Sequence, residues 1–189
     1  MRSIAQIRSE TFTGYKAVAA SLVGAAFTAA CAQVVFHLPG NPVPVTLQVF
    51  AVVCCGLILG SRLGAIAQME YLTAGLLGLP VFAGFKAGPA ALFGPTGGYL
   101  IGFIGAAFVV GLWMEMSARR AFQVACVAGL LGVAVIYVVG AGWLSVWLRI
   151  FGGESIVWST WALGVAPFVG VDVAKVALAA TICAGRRCG

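Results

Sequence analysis

Polar and apolar positions along this chain sort into long apolar stretches separated by short polar or proline- and glycine-rich segments. The stretches are Ala17 to Phe36, Val45 to Ser61, Leu63 to Leu79, Thr96 to Met114, Ala121 to Leu144 and Trp161 to Gly185. Ala17 to Phe36 contains no charged residue, whereas a strand of a transmembrane barrel places a polar residue at every second position. Stretches of this kind match helices crossing a hydrocarbon layer of ~30 Å. The predicted fold class is an all-α integral membrane protein, a compact six-transmembrane-helix bundle with one membrane domain over residues 1–189.

The connections differ in length. Gly60-Ser61-Arg62 and Arg119-Arg120 predict tight turns, while His37 to Pro44, Pro80 to Pro95 and Ser145 to Ser159 form three longer loops on the opposite side. Composition supports the membrane reading, with 62% hydrophobic and only 8% charged residues. Basic residues fix the orientation. Arg2, Arg8, Lys16, Arg62, Arg119, Arg120, Arg186 and Arg187 fall on the side of the termini and tight turns, against Lys86 and Arg149 on the other. The N and C termini are therefore expected to be cytoplasmic, with the long loops outside. The net charge of +6 follows from this bias and gives no reason to expect nucleic acid as a partner.

Basic residues followed by an apolar run and Thr28-Ala29-Ala30-Cys31 loosely resemble a cleaved, lipid-modified leader, but the run continues past Cys31 and further spans follow. An uncleaved first helix is the expectation. Cys31, Cys54, Cys55, Cys126, Cys183 and Cys188 lack the paired spacing of a metal site and read as packing residues. Ala17, Ser21, Ala25 and Ala29 recur at every fourth position of the first span, continued by Gly24, Thr28 and Ala32. Such a stripe lets another helix approach closely, either one of the chain's own or that of a partner membrane protein.

Asp172 and Lys175 stand inside the last apolar stretch, three residues apart and so on one helical face. A charge at mid-bilayer costs roughly 2.5 to 3.5 kcal/mol on insertion scales, so such residues pair and face a bundle interior or a polar cavity. Both a ligand clamp and a structural ion pair fit this pattern. Glu70 is a further intramembrane charge that can contact Lys175, line a pocket or face a partner. The outer loop His37-Leu38-Pro39-Gly40-Asn41-Pro42-Val43-Pro44 is stiff and non-helical, as a lid would be. Thr96 can cap the fourth span, and Gly97-Gly98 admits close approach of backbone or ligand. Pro95-Thr96-Gly97-Gly98-Tyr99 lacks the order of a potassium-channel filter. The chain has a single His and no nucleotide-binding Gly-x-x-x-x-Gly-Lys-Ser/Thr motif, so it predicts a transport protein and not an enzyme.

Four blocks resemble the BioY family, the substrate-binding S components of biotin transporters of the energy-coupling factor (ECF) class. They are Asn41-Pro42-Val43-Pro44-Val45-Thr46-Leu47-Gln48, Gly75-Leu76-Leu77-Gly78-Leu79-Pro80-Val81-Phe82-Ala83-Gly84, Gly94-Pro95-Thr96-Gly97-Gly98-Tyr99-Leu100 and Asp172-Val173-Ala174-Lys175. The resemblance implies capture of biotin from outside, in a pocket near the outer ends of the helices and under the loops. It further implies a bacterial cell (inner) membrane location, a transmembrane T component and a cytoplasmic ATPase pair as partners, and docking through the face of Ala17, Ser21, Ala25 and Ala29. No cofactor is expected, biotin being the transported substrate. A solitary biotin transporter, or another secondary carrier or channel for a small polar solute, is the alternative.

Biotin joins an apolar ring and chain to a ureido group and a carboxylate. An ionised Asp172 only accepts hydrogen bonds and Lys175 only donates, so Asp172 suits the ureido N–H groups while Lys175 suits either the ureido carbonyl or the carboxylate. The resemblance implies that Asp172 and Lys175 touch the ligand. Thr46 and Gln48 are candidate donors, Lys86 a candidate cation for the carboxylate, and Tyr99 an amphipathic aromatic. Phe93, with Phe82 and Phe85, is expected in an apolar wall.

Overall fold

The first apolar stretch is shorter as a helix than its hydropathy predicts. In the computed structural model, which describes residues 14–41, 43–117, 121–151 and 156–185, α1 spans Tyr15–Ala32. Arg2, Arg8, Arg119, Arg120, Arg186 and Arg187 of the orientation count, and Cys188, lie outside the described residues. Beyond α1 the apolar Val35–Phe36 forms strand β1, paired antiparallel with β2, Val45–Thr46, in the register Val35 with Thr46 and Phe36 with Val45. The prolines of the intervening loop have no N–H to give to a ladder, so pairing is confined to its two ends.

Helix α2, Gln48–Leu59, and α3, Ser61–Leu76, are joined through Gly60 alone, whose φ of 86° a side chain would resist. The N-terminus of α3 is held from a distance: the Ser61 N–H donates to Glu115 Oε1 at 2.8 Å and its hydroxyl to Oε2 at 2.9 Å. Glu115 belongs to α5, Gly97–Met116, which follows a 3₁₀ turn at Ala83–Phe85 and the single-turn helix α4, Pro89–Phe93. Replacing Glu115 by Ala removes both bonds and the negative charge at a helix start, so the variant should unfold about 1 to 2 kcal/mol more easily. Thermal unfolding in detergent, compared with wild type, checks this.

Helix α6, Phe122–Phe151, runs 30 residues, well past the predicted end at Leu144. Ser145 to Phe151 carries no proline or glycine to stop it, so most of the expected third outer loop is helix. The last stretch, expected as one span, is divided into α7, Ile156–Gly164, and α8, Val169–Gly185. Pro167 sits in the break, where it cannot donate a helical hydrogen bond and would clash with the preceding turn. Seven of the described α-helices have nine or more residues. By length and composition, α1, α5, α6 and the Thr160–Cys183 stretch are long and apolar enough to cross a membrane, and α2 is apolar but shorter. The chain is a helical, multi-pass membrane protein.

The small-residue face of α1 turns inward. Ser21 and Ala25 are buried and Ala17 and Ala29 partly so. At Gly24 an added Cβ would meet Ala67, Leu59 and Cys55, about 3 Å away. Of the expected docking face, Ser21 and Ala25 are thus taken up inside the chain, where small side chains let α2 and α3 close onto α1, while Ala17 and Ala29 stay partly exposed. The exposed side of α1 instead carries Val18, Ala19, Leu22, Val23, Ala26 and Ala30.

Candidate functional site

The break between α7 and α8 changes the meaning of Asp172. Read as mid-span, it lies instead in the first turn of α8, where the helix dipole favours a carboxylate. Its backbone N–H donates to Phe168 O at 2.8 Å, closing that first turn. Lys175, one turn on, donates from Nζ to Asp172 Oδ1 at 2.7 Å, and both side chains are more than nine-tenths buried. From α6 the Tyr137 hydroxyl donates to Asp172 Oδ2 at 2.7 Å. Each carboxylate oxygen thus has a donor, and lone pairs remain on both.

These groups form the floor of a cavity of about 550 Å³, within the range of small-molecule sites. Its walls are apolar, built from Val49, Leu100, Phe103, Ile136 and Phe168. The β1–β2 ribbon and its loop contribute His37, Val43, Pro44 and Thr46, so the proline-rich segment covers part of the cavity. Asn41 ties that cover down: its side-chain N–H donates to Leu163 O at 2.9 Å and its Oδ1 accepts from Val43 N–H at 2.9 Å. The segment between α3 and α4 contributes Phe82, Ala83, Lys86 and Ala87.

Among the sequence-predicted residues, Asp172, Lys175, Thr46, Gln48, Lys86 and Tyr99 line this one cavity. Thr46 donates to Gln48 Oε1 at 2.8 Å, and Gln48 donates in turn to the Tyr71 hydroxyl at 2.7 Å, so the two candidate donors are already oriented. Tyr99 shows its ring to the cavity while its hydroxyl donates to Gly164 O at 2.8 Å, which fits a wall residue better than a ligand donor. Phe93 is corrected: it is 67% exposed and outside the lining, as is Phe85 at 69%, whereas Phe82 is buried and lines the wall. Single-turn α4 directs Ala90 and Ala91 inward in place of Phe93. Glu70 also stands apart from the cavity, accepting from the Ser21 hydroxyl at 2.8 Å between α3 and α1.

Tyr137 is the residue that sequence reading missed. Its only signal is a phenol in the middle of an otherwise apolar stretch, and a buried hydroxyl calls for a partner. Among the described residues no group of three or more His, Cys, Asp and Glu side chains could hold a metal ion. The site suits a ligand with an apolar body and a compact polar head that both donates and accepts hydrogen bonds. Lys86, exposed at the cover, has no hydrogen bond or ion pair to its ammonium among the described residues, so it adds an unopposed positive charge to the lining.

A polar-floored cavity under loops in a helical membrane bundle defines a membrane-embedded small-molecule-binding protein. Comparison with known proteins narrows this class. A family model described as the BioY family matches residues 5–187, and the chain belongs to that family. It is 41% identical over 169 residues to a probable biotin transporter BioY of Pyrococcus horikoshii, covering 88% of this chain and 94% of the relative. It is also 41% identical over 145 residues to the biotin transporter BioY of Thermotoga maritima, covering 77% and 81% respectively. Among solved structures, the S-component for biotin from an ECF-type ABC transporter matches with a TM-score of 0.78 at 27% identity, over 99% of this chain and 94% of that one.

Proposed function

We propose that this chain captures biotin from the outer side of the cytoplasmic membrane, as the S component of an ECF-type transporter, and delivers it inward with a membrane T component and cytoplasmic ATPases. The observation that carries this is the pairing of a buried Asp172–Lys175–Tyr137 floor with a separate, unopposed Lys86 at the cover of the same cavity. Family membership supports the substrate. The chain would cross six times, with α7 and α8 together making the last crossing, and the basic-residue bias of the sequence supports cytoplasmic termini.

The charges favour one direction for the ligand. Lys175 is neutralised by Asp172 at 2.7 Å, so a carboxylate placed at the floor would also face the carboxylate of Asp172. The ureido group meets no such penalty: its N–H groups reach Asp172, and its carbonyl the remaining N–H donors of Lys175. The valeryl chain then runs along the apolar wall and its carboxylate meets Lys86. The Gln48–Tyr71 pair fixes the side of the pocket, and a head group without matching donors would leave buried polar groups unpaired.

Two measurements test the proposal. Wild-type protein purified in detergent should bind biotin without ATP, and Lys86→Met should bind it roughly tenfold more weakly, as expected for loss of one charge-assisted hydrogen bond. Radiolabelled biotin uptake in cells carrying the chain should rise when T component and ATPases are co-expressed. No binding by the folded wild type would exclude biotin as the substrate, and equal uptake without the partners would favour a solitary transporter.

A further inference from the structure

Lys86 sits on a tight loop whose shape is not self-supporting. Phe82 N–H donates to Lys86 O at 3.0 Å across the turn, which brings the backbone through Gly84 at φ 68° and Phe85 at φ 57°. Left-handed backbone is ordinary for glycine, but for an aromatic residue it persists only where the surroundings hold it. One side chain, at the residue just after α1, bonds to it directly. Gln33 accepts the Phe85 N–H on Oε1 at 3.0 Å, and its Nε2 lies 3.3 Å from both the Val81 and Phe82 carbonyls and 3.1 Å from Ala29 O. A single amide therefore bonds both limbs of the turn and roots them to the end of α1.

We infer that Gln33 is the residue that positions Lys86 over the cavity, and so sets how strongly the protein distinguishes a ligand with an anionic tail from one with a neutral tail. Gln33 is not in the cavity lining and touches no ligand; it acts through the loop. The inference rests on the proposed reading that Lys86 meets the carboxylate. A leucine at position 33 leaves the Phe85 N–H and the Val81 and Phe82 carbonyls without this partner, and Phe85 is free to leave the left-handed region. Lys86, on the adjacent residue, then loses its fixed place.

The test compares biotin with its carboxamide, uncharged at the tail, on purified protein. Wild type should prefer biotin; Gln33→Leu should lower biotin affinity roughly tenfold while changing carboxamide affinity by less than about twofold, the same pattern as Lys86→Met. Because both act on one contact, the double variant should lose no more discrimination than either single one. Adding Phe85→Gly to Gln33→Leu should leave the loss in place, since it removes strain without restoring the staple. Equal loss for both ligands in Gln33→Leu would overturn the positioning role and leave a merely structural one. If Lys86→Met itself keeps the wild-type preference for biotin, it is the carboxylate reading of Lys86 that fails. Should Gln33→Leu not fold, Gln33→Glu carries the same test, since it keeps the acceptor for Phe85 while setting a carboxylate against the two carbonyls.

Discussion

Purified, folded Asp172→Asn and Lys175→Met proteins are expected to bind biotin at least a hundredfold more weakly than wild type. Each change removes a charge-assisted bond to the ureido group, about 1.5 to 3 kcal/mol. Each also leaves the partner charge buried without its counterion, and truncating one member of such a pair typically costs 2 to 5 kcal/mol in all. With 1.4 kcal/mol per tenfold, a hundredfold loss is about 2.8 kcal/mol, in the lower half of this range. Tyr137→Phe removes only the neutral donor to Asp172 Oδ2 and should cost nearer tenfold. Isothermal titration on monodisperse protein reads all three. Unchanged affinity in folded Asp172→Asn would reduce the pair to a structural element of α8.

The second large effect is expected at a glycine with no polar chemistry. The Phe82 ring lies against Gly75 of α3, in the space where a Cβ would stand. Beside it the ring meets Tyr71 edge-on, with centroids 5.6 Å apart and an interplanar angle of 86°. Gly75→Val must therefore expel Phe82, whose burial is worth about 1.5 to 3 kcal/mol and which fastens the Lys86 loop to the bundle. Biotin should bind more than tenfold more weakly and leave faster, while the helical circular dichroism stays unchanged. Gly142→Ala serves as a control, since an added Cβ there meets open space. Full affinity in Gly75→Val would show that the loop does not depend on this contact.

How much of this was legible in the sequence depended on which physical signal each feature leaves. Membrane helices announce themselves by composition, and two charges inside an apolar stretch announce a polar surrounding, so the bundle and the Asp172–Lys175 pair could be read directly. Val35–Phe36 could not be separated from the helix before it, because a short apolar strand and the end of an apolar helix have the same hydropathy. Pro167 was visible, yet its effect on Asp172 needed the backbone: the break turns a mid-span charge into one at a helix start. Phe93 and Phe82 look alike in sequence, and only the folded backbone, which sets Phe82 against Gly75 and turns Phe93 outward, tells the exposed ring from the buried one. The small-residue stripe of α1 fitted both an internal and an external partner, and only the backbone shows that Gly24 packs on Ala67, Leu59 and Cys55 inside the chain.

The free carbonyls at the end of α7 give the cavity a fixed part and a releasable part. Leu163 O is taken by Asn41 of the cover and Gly164 O by Tyr99 of the wall. Lifting the cover at this point breaks the first bond and leaves the second, so α8 keeps its start and Asp172 its surroundings. The tie that holds the Asn41 segment and the bond that holds the wall are thus separate, and the floor of Asp172, Lys175 and Tyr137 depends on no side chain of the first.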